Sequence, residues 1–496
     1  MTLRFGTDGV RGPASDLTDA LVIALGQAAA QVLGAGSGSG VFVIGRDTRE
    51  SGERIEDALA IGLRRGGVAP LCLSIVPTPA VAWVCAQRGV PGAVISASHN
   101  PWSDNGIKFF AAGGRKLSDE LEAALEAALD ALVAEPEAQE APVAHAGGNA
   151  TVDSTASDST ASDTTASDTT ASGTTDADLS VDADLSVDTD LSVDTDVAVD
   201  AVDGWCDAIR SAVEPMAPMR IVIDCANGAS SSVAPKIFRS LGLDVEVLHA
   251  QPDGRNINDR CGSTHPESLQ RAVIASGAAL GLAFDGDADR LLAVDELGNL
   301  IDGDQLIALF ASDLRDRGRL ANDQVVVTVM SNLGFRLAME AQGIEVIETP
   351  VGDRHVLEAL ARTGSSLGGE QSGHIVFADL ATTGDGILSG VRLVDLVSRS
   401  DVPLSELAAQ VMDRLPQVLR NVKLEARRDD IAEFLAAAMA EEVAAVESSL
   451  GGRGRVLIRP SGTEPLVRVM VEAPTTEQAE AAVDNLVAAV VRACSA

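Results

Sequence analysis

Three aspartates at alternate positions, Asp285, Asp287 and Asp289, follow an apolar run at residues 281–284 and lead straight into Arg290. Carboxylates this close repel one another unless a cation lies among them. Oxygen donors favour a hard ion, Mg2+ or Ca2+, and three of them leave coordination open for a phosphate oxygen. Arg290 adds a guanidinium suited to the same phosphate. A second stretch, V-I-S-A-S-H-N-P at residues 94–101, runs from apolar residues into Ser96, Ser98, His99 and Asn100 and stops at Pro101. Such a loop at the carboxyl end of a strand is where open α/β sheets hold ligands, and Ser98 could act there as a nucleophile. The G-x-S-x-G elbow is absent. A third, G-G-E-Q-S-G-H at residues 368–374, offers Glu370 and Ser372 as hydrogen-bonding groups and His374 as a proton carrier. A fourth, R-P-S-G-T-E-P at residues 459–465 with Arg468 beyond, combines Arg459, Ser461, Gly462 and Thr463 into a plausible phosphate cradle. The fifth, F-G-T-D-G-V-R-G at residues 5–12, contributes Arg11. Taken singly, each stretch also reads as an ordinary Gly/Ser/Asp turn.

Short β-rich runs at 41–45, 71–76 and 93–97 alternate with helical patterns at 17–33, 52–64 and 79–87, followed by a helix at 118–133. The alternation returns at 220–224, 244–248 and 280–284 with a helix at 230–241. It returns again at 324–329 and 345–348, with helices at 305–317, 335–341 and 354–362. Strands alternating with helices imply βαβ units. The tail differs: a helix at 429–448, strands at 455–459 and 467–471, then a helix from Thr476. The expectation is three related α/β domains with mixed sheets and a smaller C-terminal α+β domain. Their spans are 1–145, 204–302, 303–417 and 418–496.

Residues 146–203 are set apart as an acidic insertion. From 151 to 203 the chain holds 14 aspartates and no lysine or arginine, first in five-residue and then in six-residue repeats. Such a composition buries too little apolar surface to offset chain entropy, so a disordered linker is expected. A helix is expected to follow at 205–213. The net charge of −36 disfavours nucleic acid and anionic membrane as partners. No apolar run approaches a membrane span, and the cytoplasm is the expected location. Six scattered cysteines argue against a disulfide framework and against a zinc site.

Jointly and in this order the five stretches resemble the α-D-phosphohexomutase superfamily, and the resemblance covers the whole chain except the insertion. Residues 5–12, N-I-N at 256–258, C-G-S-T-H-P-E at 261–267 and T-G-D-G-I at 383–387 are similar to its phosphoglucosamine mutase branch. His355 stands where that branch more often has Tyr. The resemblance implies four domains around a central cleft. Ser98 would carry a phosphoryl group, and Asp285, Asp287 and Asp289, with an oxygen of that group, would hold Mg2+. Arg11, Lys108 and Arg290 would stabilise charge, and His99, Lys108 and His374 are candidates for proton transfer. Glu370 and Ser372 would read the sugar, while Arg459, Ser461, Gly462, Thr463 and Arg468 grip the non-reacting phosphate. The implied partner is a small hexosamine phosphate, with a kinase or autophosphorylation loading Ser98. A glucose or mannose phosphate mutase, or an inactive sugar-phosphate-binding protein, are the alternatives.

Overall fold

The computed structural model describes residues 5–6, 9–34, 40–134, 195–424, 430–461 and 465–495. In the first domain β1 (Phe5–Gly6), β2 (Gly9–Pro13), β3 (Val41–Arg46), β4 (Ala69–Ile75), β5 (Gly92–Ile95), β6 (Asp104–Ala111) and β7 (Arg115–Lys116) form one mixed sheet. Its order is β1-β2-β6-β5-β3-β4, with β7 on β6. The helices are α1 (Asp19–Ala29), α2 (Gly52–Arg65), α3 (Thr78–Arg88) and α4 (Asp119–Ala134). Successive residues of a strand point to opposite faces. On β3, Phe42 and Ile44 enter the core under α1 and α2. Val43 between them enters a second core that reaches Leu282, Phe284, Leu306 and Ile375 of the next two domains. One face of the first sheet is therefore buried against the rest of the molecule, which fixes the loops at its carboxyl edge relative to the other domains.

Next comes α5 (Thr195–Ser211), which begins inside the stretch assigned to the acidic insertion and ten residues before the helix expected there. Val197, Ala198, Ala201, Val202, Trp205, Cys206 and Ile209 all pack into the large core. These positions repeat at helical spacing, a pattern hidden by the six-residue repeat of Asp and Val. The insertion as read from the sequence thus extends eight or more residues too far. Its expected disorder concerns residues outside those described.

The second domain contains β8 (Arg220–Asp224), α6 (Ala234–Ser240), β9 (Asp244–Leu248), α7 (Glu267–Ser276), β10 (Leu280–Phe284), β11 (Leu291–Asp295) and β12 (Leu300–Ile301), with sheet order β12-β11-β10-β8-β9. The antiparallel hairpin β10–β11 was not foreseen in the sequence, and it brackets the aspartate loop. The third contains α8 (Gly303–Asp316), β13 (Gln324–Thr328), α9 (Leu333–Ala341), β14 (Glu345–Thr349), α10 (Asp353–Thr363), β15 (Leu367–Gly369), β16 (Ile375–Phe377), α11 (Gly386–Arg399) and α12 (Leu404–Val411), with order β14-β13-β15-β16. The fourth is a three-stranded antiparallel sheet of β17 (Gln417–Lys423), β18 (Arg455–Pro460) and β19 (Leu466–Glu472) with α13 (Ile431–Ala438), α14 (Ala440–Leu450) and α15 (Thr476–Ser495). The single helix expected at 429–448 is two helices, broken at Met439, whose backbone leaves helical geometry at φ −106°, ψ 0°. Among the described residues no helix is long and apolar enough to cross a membrane.

Candidate active site

Strand β5 ends at Ile95 rather than at the expected Ala97. Ser96 Oγ donates to Asp47 (2.7 Å) and accepts from the Ser98 amide (2.8 Å), which pulls the chain out of the sheet. Ser98 sits at φ +51°, a left-handed backbone that a non-glycine residue adopts only where its surroundings enforce it. Arg49 supplies much of that enforcement. Its guanidinium, 1% exposed, is paired with Asp47 at 2.8 Å. It also donates to the carbonyls of Ser98, Asn100, Pro101 and Asp104. Across the domain boundary Asn258 Nδ2 donates to the same Ser98 carbonyl at 2.9 Å. The loop is thus held by one buried guanidinium and one amide, a rigid setting for a reacting group.

Ser98 Oγ, buried, donates to Asp285 Oδ2 at 2.7 Å. The turn carrying Asp285, Asp287 and Asp289 comes this close because residue 286 is glycine. A Cβ there would stand 2.7 Å from the Ser98 carbonyl oxygen. All three carboxylates are buried, and their ligand atoms lie within 4.8 Å of one another. Asp287 Oδ2 takes Thr78 Oγ1 (2.7 Å) and Lys108 Nζ (3.0 Å), and Lys108 also reaches Asp289 at 3.4 Å. Asp287 Oδ1 and Asp289 Oδ1 are buried with no hydrogen-bond partner. Two unsatisfied anionic oxygens beside a third carboxylate form a donor set that fits a divalent cation. Burial and the charges of Asp289 and Asp287 push the Asp285 carboxyl well above the usual range. For Asp289, burial acts in the same upward sense, but Lys108, His374 and Arg290 outweigh it and hold the group well below its ordinary value.

His99 Nδ1 lies 3.4 Å from Ser98 Oγ. Burial, then the charges of Arg290 and Arg11, lower its pKa to about 4, so the ring is neutral at pH 7. His374 is buried behind the triad. Its Nδ1 faces Asp289 and its Nε2 faces Asp353, each at 3.7 Å, and the Gly384 amide donates to Nε2 at 3.1 Å. Asp353 is also paired with Lys116. Next to Gly384, Asp385 caps α11 and accepts from Trp205 Nε1 at 3.2 Å, so helix α5 braces this corner.

Glu370 and Ser372 share the loop between β15 and β16. Glu370 accepts from the Gly352 amide (3.0 Å) and from Ser372 Oγ (3.3 Å). Its charge helps raise Arg290, against the opposing effect of burial, and it acts on Arg459 as well. Arg459 and Arg468 are direct cross-strand partners on β18 and β19. Like charges opposite each other on an antiparallel pair are destabilising unless an anion lies between them. Burial and Arg468 lower the pKa of Arg459, and Arg459 Nε is buried without a partner. The Ser461 amide closes the hairpin on the Leu466 carbonyl. Gly462 and Thr463 lie outside the described residues.

The structure therefore brings Ser98, His99, Lys108, Arg290 and the three aspartates together, with the charges of Arg11 and Glu370 within reach. It places Arg459 and Arg468 on one hairpin within reach of the charge on Glu370. Asp47, Arg49, Thr78, Lys116 and Asp353 were missed. Asp47 and Arg49 had a signal, in that charged residues follow directly on the wholly apolar part of a central strand. The others announce themselves only through partners far away in the chain.

Family models for the phosphoglucomutase/phosphomannomutase α/β/α domains I, II and III match residues 2–135, 202–298 and 302–415, and the model for the C-terminal domain matches 419–489. The phosphoglucosamine mutase of Pelotomaculum thermopropionicum is 45% identical over 489 residues, covering 98% of each chain. A phosphomannomutase-like protein of Thermus thermophilus shares the fold, with a TM-score of 0.71 at 20% identity over 99% of each chain. So does the Aspergillus fumigatus N-acetylphosphoglucosamine mutase, solved in complex with GlcNAc-6P and magnesium. Its TM-score is 0.62 at 19% identity over 100% of this chain and 96% of that one. With all four domain models in sequence and close identity sustained from end to end, the chain belongs to the phosphoglucomutase/phosphomannomutase family, in its phosphoglucosamine mutase branch.

Proposed function

We propose that this protein is a cytoplasmic phosphoglucosamine mutase that interconverts glucosamine 6-phosphate and glucosamine 1-phosphate through a phosphorylated Ser98. The observation that carries the reading is the 2.7 Å contact of Ser98 Oγ with an aspartate triad in which two buried oxygens accept no hydrogen bond. A phosphoryl group on Ser98 would add about two negative charges beside three carboxylates, more than Lys108 and Arg290 can balance. Asp285, Asp287 and Asp289 would hold Mg2+, which neutralises charge on the transferring group.

In the first half-reaction the bond from phosphorus to Ser98 Oγ breaks and a bond to the sugar 1-hydroxyl oxygen forms, the hydroxyl giving up its proton and Ser98 Oγ gaining one, which yields a 1,6-bisphosphate. In the second the 6-phosphoryl group returns to Ser98 Oγ, leaving the 1-phosphate. The sugar must turn over in between, so whichever phosphate is not reacting needs a grip away from Ser98. Arg459 and Arg468 supply it, with Ser461, Gly462 and Thr463 in the same hairpin. His99, neutral at pH 7, is able to accept a proton at Ser98 Oγ. Lys108, Arg11 and Arg290 stabilise charge. His374 holds Asp289 in place, since both of its ring nitrogens are already engaged.

Glu370 retains lone pairs for a protonated 2-amino group, and a charge-assisted hydrogen bond exceeds a neutral one by about 1 kcal/mol. A coupled assay should therefore give a kcat/KM for glucosamine 6-phosphate at least about fivefold above that for glucose 6-phosphate. The reverse order would make the protein a phosphoglucomutase or phosphomannomutase. Arg459→Ala should raise KM for glucosamine 6-phosphate by roughly 10- to 100-fold, as loss of a guanidinium–phosphate contact implies. Its melting temperature should hold or rise, because one of two opposed like charges is gone. An unchanged KM would remove the arginine pair from phosphate binding.

A further inference from the structure

A second cluster of metal-ligating side chains lies in the second domain, at the carboxyl edge of β8 and β9. Asp224 ends β8, and His249 follows β9, its parallel neighbour. Cys261 comes from the loop that also carries Asn258. Asp224 Oδ2 and His249 Nδ1 are 2.9 Å apart, and the ligand atoms of Asp224, His249 and Cys261 all lie within 4.8 Å of one another. Asp224 and Cys261 are fully buried, whereas the His249 side chain is 32% exposed, so the cluster opens to solvent on one side only. Four non-glycine residues around it, Ala226, Asn227, His249 and Asn258, have φ between +45° and +58°. Backbone held in that region at several neighbouring positions is a mark of a site rather than of plain packing.

We propose that Asp224, His249 and Cys261 form a binding site for a borderline-soft divalent cation of the zinc class, separate from the aspartate triad. One oxygen, one imidazole nitrogen and one sulfur suit such an ion and do not suit Mg2+, while the all-oxygen triad has the opposite preference. Three protein ligands with one open side leave a fourth position for water. Binding requires Cys261 to lose its thiol proton to solvent. The His249 ring exchanges its Nδ1 proton for the ion and keeps one on Nε2. Scattered cysteines gave no zinc spacing in the sequence; the ligands meet only in three dimensions. The cluster is also tied to the Ser98 loop. Asp224 accepts from the Ala226 amide, Ala226 accepts from the Asn258 amide, and Asn258 Nδ2 donates to Ser98. The proposal does not depend on the catalytic reading.

The test is a Cd2+ titration of the full chain in saturating Mg2+, followed by equilibrium dialysis and by the ultraviolet thiolate-to-cadmium charge-transfer band. Cd2+ at the aspartate triad gives no such band. The wild type should bind one equivalent with the band, and Cys261→Ser should lose it. His249→Gln, at a partly exposed position, should weaken the band's midpoint at least about tenfold. Absence of the band in the wild type overturns the proposal. So does a band that survives Cys261→Ser, or a midpoint unmoved by His249→Gln.

Discussion

Ser98→Ala is expected to lower mutase turnover by on the order of 10^4-fold or more, the scale on which removal of a covalent nucleophile acts. The substitution deletes one buried oxygen. It leaves the left-handed backbone at this position no harder to adopt, and every bond that Arg49 and Asn258 make to the loop goes to a backbone carbonyl. The loop should therefore keep its shape. Asp285 loses the donor at 2.7 Å but keeps the Arg290 amide at 3.2 Å. Substrate phosphate binding, assigned to Arg459 and Arg468, should persist, so KD for glucosamine 6-phosphate should stay within a few-fold of wild type while kcat disappears. Intact-mass measurement supplies a second readout. A fraction of the wild type should carry one phosphoryl group on Ser98, and the variant should carry none there. Turnover close to wild type in Ser98→Ala would end the phosphoserine mechanism.

The parts of this site that were legible in the sequence are those in which the chemistry is local. Asp285, Asp287 and Asp289 lie within five residues, so their mutual repulsion can be read without a fold. The same holds for the Ser96–Pro101 stretch and for Arg459 with Arg468, although only the register of β18 and β19 shows that the two arginines are opposed. The supporting groups were illegible because they act over long separations. Thr78 reaches Asp287 across 209 residues, and Asn258 reaches Ser98 across 160. The place of Arg49 after an apolar strand marks it as a candidate, but the burial of its guanidinium cannot be read there, since a charged residue after a strand is most often solvated. The α/β alternation was readable because strands such as β3 and β10 are buried on both faces and appear as continuous apolar runs. The start of α5 was not, since a six-residue repeat of Asp and Val masked a helical face that becomes apparent only when Trp205 and Ile209 are seen packed in the core.

Asp287→Asn is expected to weaken binding of the proposed Mg2+ at least about a hundredfold, more than the loss of an outer-sphere partner would cause. Kcat at ordinary Mg2+ should fall with it. The reason lies in how the side chain is divided. Oδ2 is committed to Thr78 and Lys108, and Oδ1 is buried with no partner, which leaves Oδ1 as the oxygen available to a cation. An amide here has one oxygen and one NH2 group. If the oxygen keeps Thr78 and Lys108, the NH2 group points at the cation. If the amide turns over, its hydrogens meet the Lys108 ammonium. Either orientation removes an anionic ligand from the site. Stability should separate this from a folding defect. Without metal the variant should melt somewhat below wild type, because burial and Asp289 are outweighed by Lys108 and Thr78, which favour the Asp287 charge that the substitution removes, so the discriminating readout is the response to metal. Adding Mg2+ should raise the wild-type melting temperature, and the same rise in the variant should need far higher concentrations, as binding linkage requires. Part of the lost turnover should then return at high Mg2+. Full activity of the wild type after exhaustive chelation, or an identical Mg2+ response in the two proteins, would remove the aspartate triad from metal binding.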